Sequence, residues 1–172
     1  MAFQNAGTLS PYGAPVKLFR IIANSTTVTI NDSVKVASGF AALGTTGALV
    51  FGHVQGIVTN KGMPMSSTGA AGAEFGSFIN TFLTASDNQT VAFVKAECDV
   101  SKFTLYSAEL DAAAGTTTGS NLPDYNIDLL DEDTLDESSA TTGTAQYHSH
   151  GLDASDSSRV IVNIYESQVF GV

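Results

Sequence analysis

The chain has 172 residues, of which 43% are hydrophobic and 14% charged. That balance excludes a disordered chain, and no stretch approaches the roughly 18 apolar residues of a membrane span. The net charge of −10 repels nucleic-acid phosphates, so neither direct nucleic-acid binding nor a membrane partner is expected.

Residues 1–15, "MAFQNAGTLSPYGAP", carry Gly, Pro and Asn without apolar periodicity. They read as an extended N-terminal arm, which needs something to tie it down. Its partner-binding candidates are Phe3, Leu9, Pro11, Tyr12 and Pro15. The first 16 residues hold no side-chain charge and no apolar run, which argues against a secretory signal. Residues 16–172 read as one β-rich domain.

Branched and aromatic residues mark a strand in "VKLFRII" (16–22). "TTVTI" (26–30) and "SVKVA" (33–37) follow, split by the turn pair "ND". "ALVFGHVQGIVT" (48–59) is the most strand-like stretch of the first half. Its Gly52 and Gly56 predict a bulge or a close backbone approach. "TNKGMPMSSTGAAG" (59–72) reads as loop. In "AEFGSFINTFLT" (73–84), Phe75, Phe78, Ile79, Phe82 and Leu83 fall on one helical stripe. The spacing predicts a short helix packed on the sheet.

"TVAFVKAEC" (90–98) predicts a strand with Cys98 as a small buried hydrophobe. "KFTLYSAELDAAAG" (102–115) starts as a strand and allows one helical turn before Gly115. "YNIDLL" (125–130) reads as a strand, and the acidic run at 128–143 as a solvated loop. "TAQYHSHG" and "SRVIVNIYES" predict a hairpin, with Val160, Val162 and Ile164 on its inner face. About eight short strands at this spacing predict a mainly β fold, a small barrel or sandwich.

The charge is unevenly spread. Residues 1–96 hold five Lys/Arg and three acids, whereas residues 97–172 hold two Lys/Arg and fourteen acids. If the halves fold apart, one side of the molecule is acidic and the other near neutral. Ser (18), Thr (19) and Gly (16) supply much of the surface. The single cysteine, Cys98, excludes an intramolecular disulfide.

Two groups of residues suggest chemistry. Asp124, Asp128, Asp131, Glu132, Asp133, Asp136 and Glu137 place seven carboxylates in fourteen residues. They lack the turn glycine and distal Glu of an EF-hand. Carboxylate pairs hydrolyse sugars, yet the chain has no Trp to stack one. His148 and His150 share one face of a strand, and a zinc site would draw a third ligand from elsewhere, with His53 the candidate. Within one chain the ligand count is too low, so no metal and no cofactor is expected. The pair is a metal candidate only as a symmetric cluster, where three copies supply six nitrogens. Ser149 faces the other way, and no G-x-S-x-G, H-E-x-x-H or P-loop occurs. No enzyme is expected.

Four features occur together: the uncharged arm, the strands of "VKVASGFAALGTTGALVFGHVQGIVTNKG", a low-charge Ser/Thr/Gly surface, and the apolar end "IYESQVFGV". With "KFTLYSAELDAAAGTTTGSNL" and "SSRVIVNIYESQVFGV", this layout resembles the head decoration (cement) proteins of tailed bacteriophages. The resemblance covers most of the chain by layout and transfers no site residue. It implies a β-barrel or β-sandwich, a homotrimer, and the major capsid protein as partner. The implied location is the outer capsid surface of a virion assembled in the host cytoplasm. The arm would reach across subunits. The rival readings are another virion part, such as a tail-tube or head-fibre protein, and a receptor- or glycan-binding β-sandwich. A third rival is an enzyme working through the carboxylates.

Overall fold

A computed structural model describes residues 3–10, 16–22, 26–59, 78–79, 94–113, 123–141, 143 and 145–169. The strands, in chain order, are β1 (Gln4–Thr8), β2 (Lys17–Ile21), β3 (Thr27–Val28), β4 (Ser33–Ala37), β5 (Phe40–Leu43), β6 (Gly52–Thr59), β7 (Phe78–Ile79), β8 (Val94–Asp99), β9 (Thr104–Leu110), β10 (Asn126–Leu129), β11 (Thr134–Thr141), β12 (Tyr147–Asp153) and β13 (Asp156–Ile164). Among the described residues there is no helix.

The strands β9 to β13 form a closed barrel in the order β9-β11-β10-β12-β13, with β13 returning to pair with β9. Period-2 patterning drives this closure. Val160, Val162 and Ile164 of β13 are buried, as the alternation predicted. They meet Tyr106, Ala108 and Leu110 of β9, Ile127 and Leu129 of β10, Leu135 of β11 and Tyr147 of β12 in one core. Each fully buried aliphatic or aromatic side chain there contributes about 1.5–3 kcal/mol. The expected hairpin is β12–β13, in antiparallel register from Tyr147↔Ile164 to Asp153↔Asp156.

The other main sheet runs β2-β8-β6-β4-β5. Its two outer strands meet at a parallel bridge between Ile22 and Ala41, so this sheet also curls strongly. Its core holds Ile22, Val28, Val34, Phe51, Val54, Ile57, Ala96, Cys98 and Val100. Cys98 is fully buried, and burial pushes its thiol up to about 12. Both strand glycines behave as their positions predicted. A Cβ on Gly52 would run into the Asp99 carbonyl oxygen. The β6–β8 register slips between Val54 and Gly56, which is a bulge.

Three expectations need correction. The predicted helix over 73–84 is a strand where it is described: Phe78 pairs with Val28 and Ile79 with Thr27. The other residues of that segment lie outside the described ones. A short apolar run satisfies either period, and here β3 supplies the hydrogen-bonding partner. The start of the arm lies on its own fold, because Gln4–Thr8 pair with β9 as β1. Phe3 is fully buried in the barrel core, so it is not free to contact a partner. The acidic run is a hairpin rather than a loop. β10 and β11 pair from Asn126↔Thr141 to Leu129↔Leu135 around a tight turn, because Leu135 and Glu137 face inward while their neighbours stay wetter.

The two sheets are laced together. Gln146 of the barrel, fully buried, donates from Nε2 to the carbonyls of Thr45 and Ala48 and accepts Leu129 N–H at 2.7 Å. After β13, Ser167 bridges Val50. Gln168 then clamps Val36, accepting its N–H and donating to its carbonyl.

Candidate functional site

The sheets meet at a cluster of rings that is closed to solvent. His53 of β6 points away from its own sheet's core toward the barrel, between Phe3, Tyr106 and Tyr147. Its ring centre lies 4.4 Å from Phe3 and 4.1 Å from Tyr106, and Phe3 stacks on Tyr147 at 5.1 Å. The hydrogen bonds fix its tautomer. Nδ1 is 3.1 Å from the Asn31 carbonyl, which only accepts, so Nδ1 carries the proton. Nε2 is then an acceptor, and Tyr147 Oη donates to it at 3.0 Å. Tyr147 in turn accepts from Ser33 Oγ at 2.9 Å. Desolvation pushes the imidazole down to about 4, so the ring is neutral at pH 7.

Beside it, Asp99 accepts Tyr106 Oη at 2.8 Å and Ser101 N–H at 2.9 Å. Burial, with Asp99 adding to it, raises the Tyr106 phenol, and burial raises that of Tyr147. Every hydrogen bond here has a structural partner, and the cluster joins the sheets through satisfied polar contacts. At its edge, burial pushes the Asp32 carboxyl up to about 7, with Glu132 and Asp133 adding repulsion. Its Oδ2 accepts Thr29 N–H at 2.6 Å.

The histidines of β12 lie on the outside of the barrel. Ser149 between them is buried, as the strand period predicted. Tyr147, the next inward residue, reaches His53, so His53 sits on the opposite side of β12 from His148 and His150. It is not their third ligand. His148 and His150 themselves are close, with ring centres 5.1 Å apart and planes at 83°. His148 Nδ1 is 2.8 Å from Asn126 Oδ1, and His150 Nε2 is 2.7 Å from Asn163 Oδ1. Burial, the His150 ring and Asp124 all act on His148, and the net effect lowers its pKa.

The acidic residues serve the backbone. Asp131 accepts Asp133 N–H, Asp136 accepts Ser138 N–H and Oγ–H, and Asp128 accepts Gln146 N–H. The same Asp-x-Ser turn recurs at Asp153–Ser155 and Asp156–Ser158. Short acids that close their own turns are a local structural device. Among the described residues no three His, Cys, Asp or Glu side chains converge on a point that could hold a metal.

An apolar surface lies where β1 ends. Leu9 N–H donates to the Phe103 carbonyl at 2.8 Å, and Val100 N–H donates to that of Val16. Leu9, Val16 and Phe103 remain 49%, 44% and 58% exposed. Val16, Ser101, Lys102 and Phe103 line a hollow of about 350 Å³. Of the arm candidates, Leu9 belongs to this surface and Phe3 to the core. Pro11, Tyr12 and Pro15 lie outside the described residues.

The sequence reading missed the ring cluster. Its signal was a histidine among the valines and glycines of "FGHVQG" and a tyrosine ahead of the two histidines in "AQYHS". No family model, curated protein or solved structure matches the chain.

Proposed function

We propose that the chain is a structural virion protein. It decorates the outside of a tailed-phage capsid as a homotrimer and stabilises it by binding across neighbouring major-capsid subunits. The observation that carries this reading is the exposed apolar surface of Leu9, Val16 and Phe103. Val16 and Phe103 line one hollow, Leu9 is hydrogen-bonded to Phe103 beside it, and large apolar residues exposed together favour a macromolecular contact. The charge distribution supports the same reading. The acidic half of the sequence builds the barrel strands β9 to β13, and the sheet β2-β8-β6-β4-β5 comes from the near-neutral half apart from the end of β8, residues 97–99. A decoration protein gains from a face that docks and a face that stays hydrated. Repeated weak contacts on a symmetric shell then add through multivalency.

Co-sedimentation with undecorated capsids of the phage that encodes the chain tests the reading. Saturable pelleting of the wild-type protein is expected, with at least a tenfold weaker affinity in Leu9→Asp/Phe103→Asp. A wild-type protein that stays in the supernatant refutes it. Sedimentation equilibrium of the free protein checks the trimer.

A further inference from the structure

In place of the symmetric cluster that ligand count alone suggested, we propose that His148 and His150 of a single chain hold zinc on the outer face of the barrel with two imidazoles, water supplying the remaining ligands. Two asparagines orient the rings. The Asn126 side-chain amide donates to the Gly143 carbonyl. The Asn163 amide donates to the carbonyls of Lys102 at 2.7 Å and Ile164 at 3.2 Å. Carbonyls only accept, so in each asparagine the nitrogen is committed and Oδ1 is the atom left facing a histidine.

Those oxygens set the tautomers. Asn126 Oδ1 faces His148 Nδ1, and Asn163 Oδ1 faces His150 Nε2. Each ring nitrogen so engaged must carry the proton. The lone pairs are then on His148 Nε2 and His150 Nδ1. Metal-bound histidines are oriented in this way, by giving the other ring N–H to an acceptor.

The spacing fits tetrahedral zinc. With Zn–N of about 2.0–2.1 Å and a nitrogen about 1.15 Å from its ring centre, two imidazoles at the tetrahedral angle have centres about 5.2 Å apart. The observed separation is 5.1 Å. Adjacent positions of a square-planar ion would bring the centres to about 4.5 Å. The nearby Asp124 carboxylate favours a cation. Water completes the coordination, because the strand face is open to solvent.

Zinc titration by calorimetry, on the full chain, tests the proposal. One zinc per chain is expected. His148→Ala and His150→Ala, checked for folding by circular dichroism, should each weaken binding at least tenfold. Asn163→Leu keeps both ligands but frees the His150 ring, and should weaken binding about 10–100-fold. Nitrogen-15 NMR of the metal-free protein should show the proton on Nδ1 of His148 and on Nε2 of His150. Zinc affinity unchanged by either alanine variant, no zinc uptake by the wild type, or the opposite tautomers would overturn the proposal.

Discussion

Tyr147 of the barrel donates a hydrogen bond to Nε2 of His53 in the facing sheet, across 3.0 Å. Both residues are fully buried, so neither partner can turn to water. Tyr147→Phe keeps the ring packing but leaves His53 Nε2 and Ser33 Oγ short of a partner. A loss of about 1–3 kcal/mol is expected, read as a lower urea midpoint at pH 7. A midpoint equal to wild type would mean that the bond does not join the sheets.

Two buried groups give opposing pH dependences. His53 is held at about 4 against an unfolded value near 6.5. Between pH 6.5 and 4 the unfolded chain therefore takes up a proton that the folded chain refuses. Stability falls as pH drops through that window, by roughly 3 kcal/mol at full effect. Asp32 is raised from 3.8 to about 7. Between those values the folded chain holds a proton that the unfolded chain has released. Stability falls as pH rises through that window. The wild type should thus show a shallow profile between pH 4 and 6.5. Asp32→Asn removes one of the two and should expose a stability that climbs with pH. It should also be more stable than wild type at pH 8, by roughly 1–2 kcal/mol after solvent screening. Urea unfolding at pH 4 to 8 measures both. A flat profile in the variant would show that His53 does not titrate as placed.

Phe3 touches His53, Tyr106 and Tyr147, so the first strand is part of the folded core. Phe3→Ala should cost about 3–5 kcal/mol, seen in the thermal midpoint. Deleting residues 1–8 should likewise destabilise the fold. A truncated protein with an unchanged midpoint would return β1 to the status of a free arm.

The two glycines of β6 should separate cleanly. Gly52→Ala forces the strand off the Asp99 backbone and should cost about 1–3 kcal/mol. At Gly56 a Cβ meets only the Glu97 side chain, at 3.6 Å. Gly56→Ala should stay within about 0.5 kcal/mol of wild type. Equal midpoints for the two variants would refute the close approach at Gly52.

Where one face of a strand is apolar, the sequence announces it. The β12–β13 hairpin, buried Cys98 and the strand glycines were legible for this reason. β1 was not, because its five residues are all exposed and its one buried anchor, Phe3, lies just before it. β11 was hidden by charge: "TLDESSAT" looks solvated until Leu135 and Glu137 are seen to share a face. The helical stripe at 73–84 shows the converse error. Phe78 and Ile79 fit a period of 3.6, yet they pair with β3. The His148/His150 pairing follows from strand period alone. The asparagines that orient the rings come from β10 and β13, whose positions only the fold reveals.

The strand β9 pairs with β1, β13 and, in parallel, β11. Residues 4–8 must therefore wait for residues 104–110 before they gain a partner, and the ring closes only when residues 156–164 arrive. Contacts this distant along the chain slow folding. During synthesis the first strand and Phe3 stay exposed through most of translation. A chain stalled on the ribosome before β13 should still be an open sheet, sensitive to protease along the edge of β9 that the last strand covers.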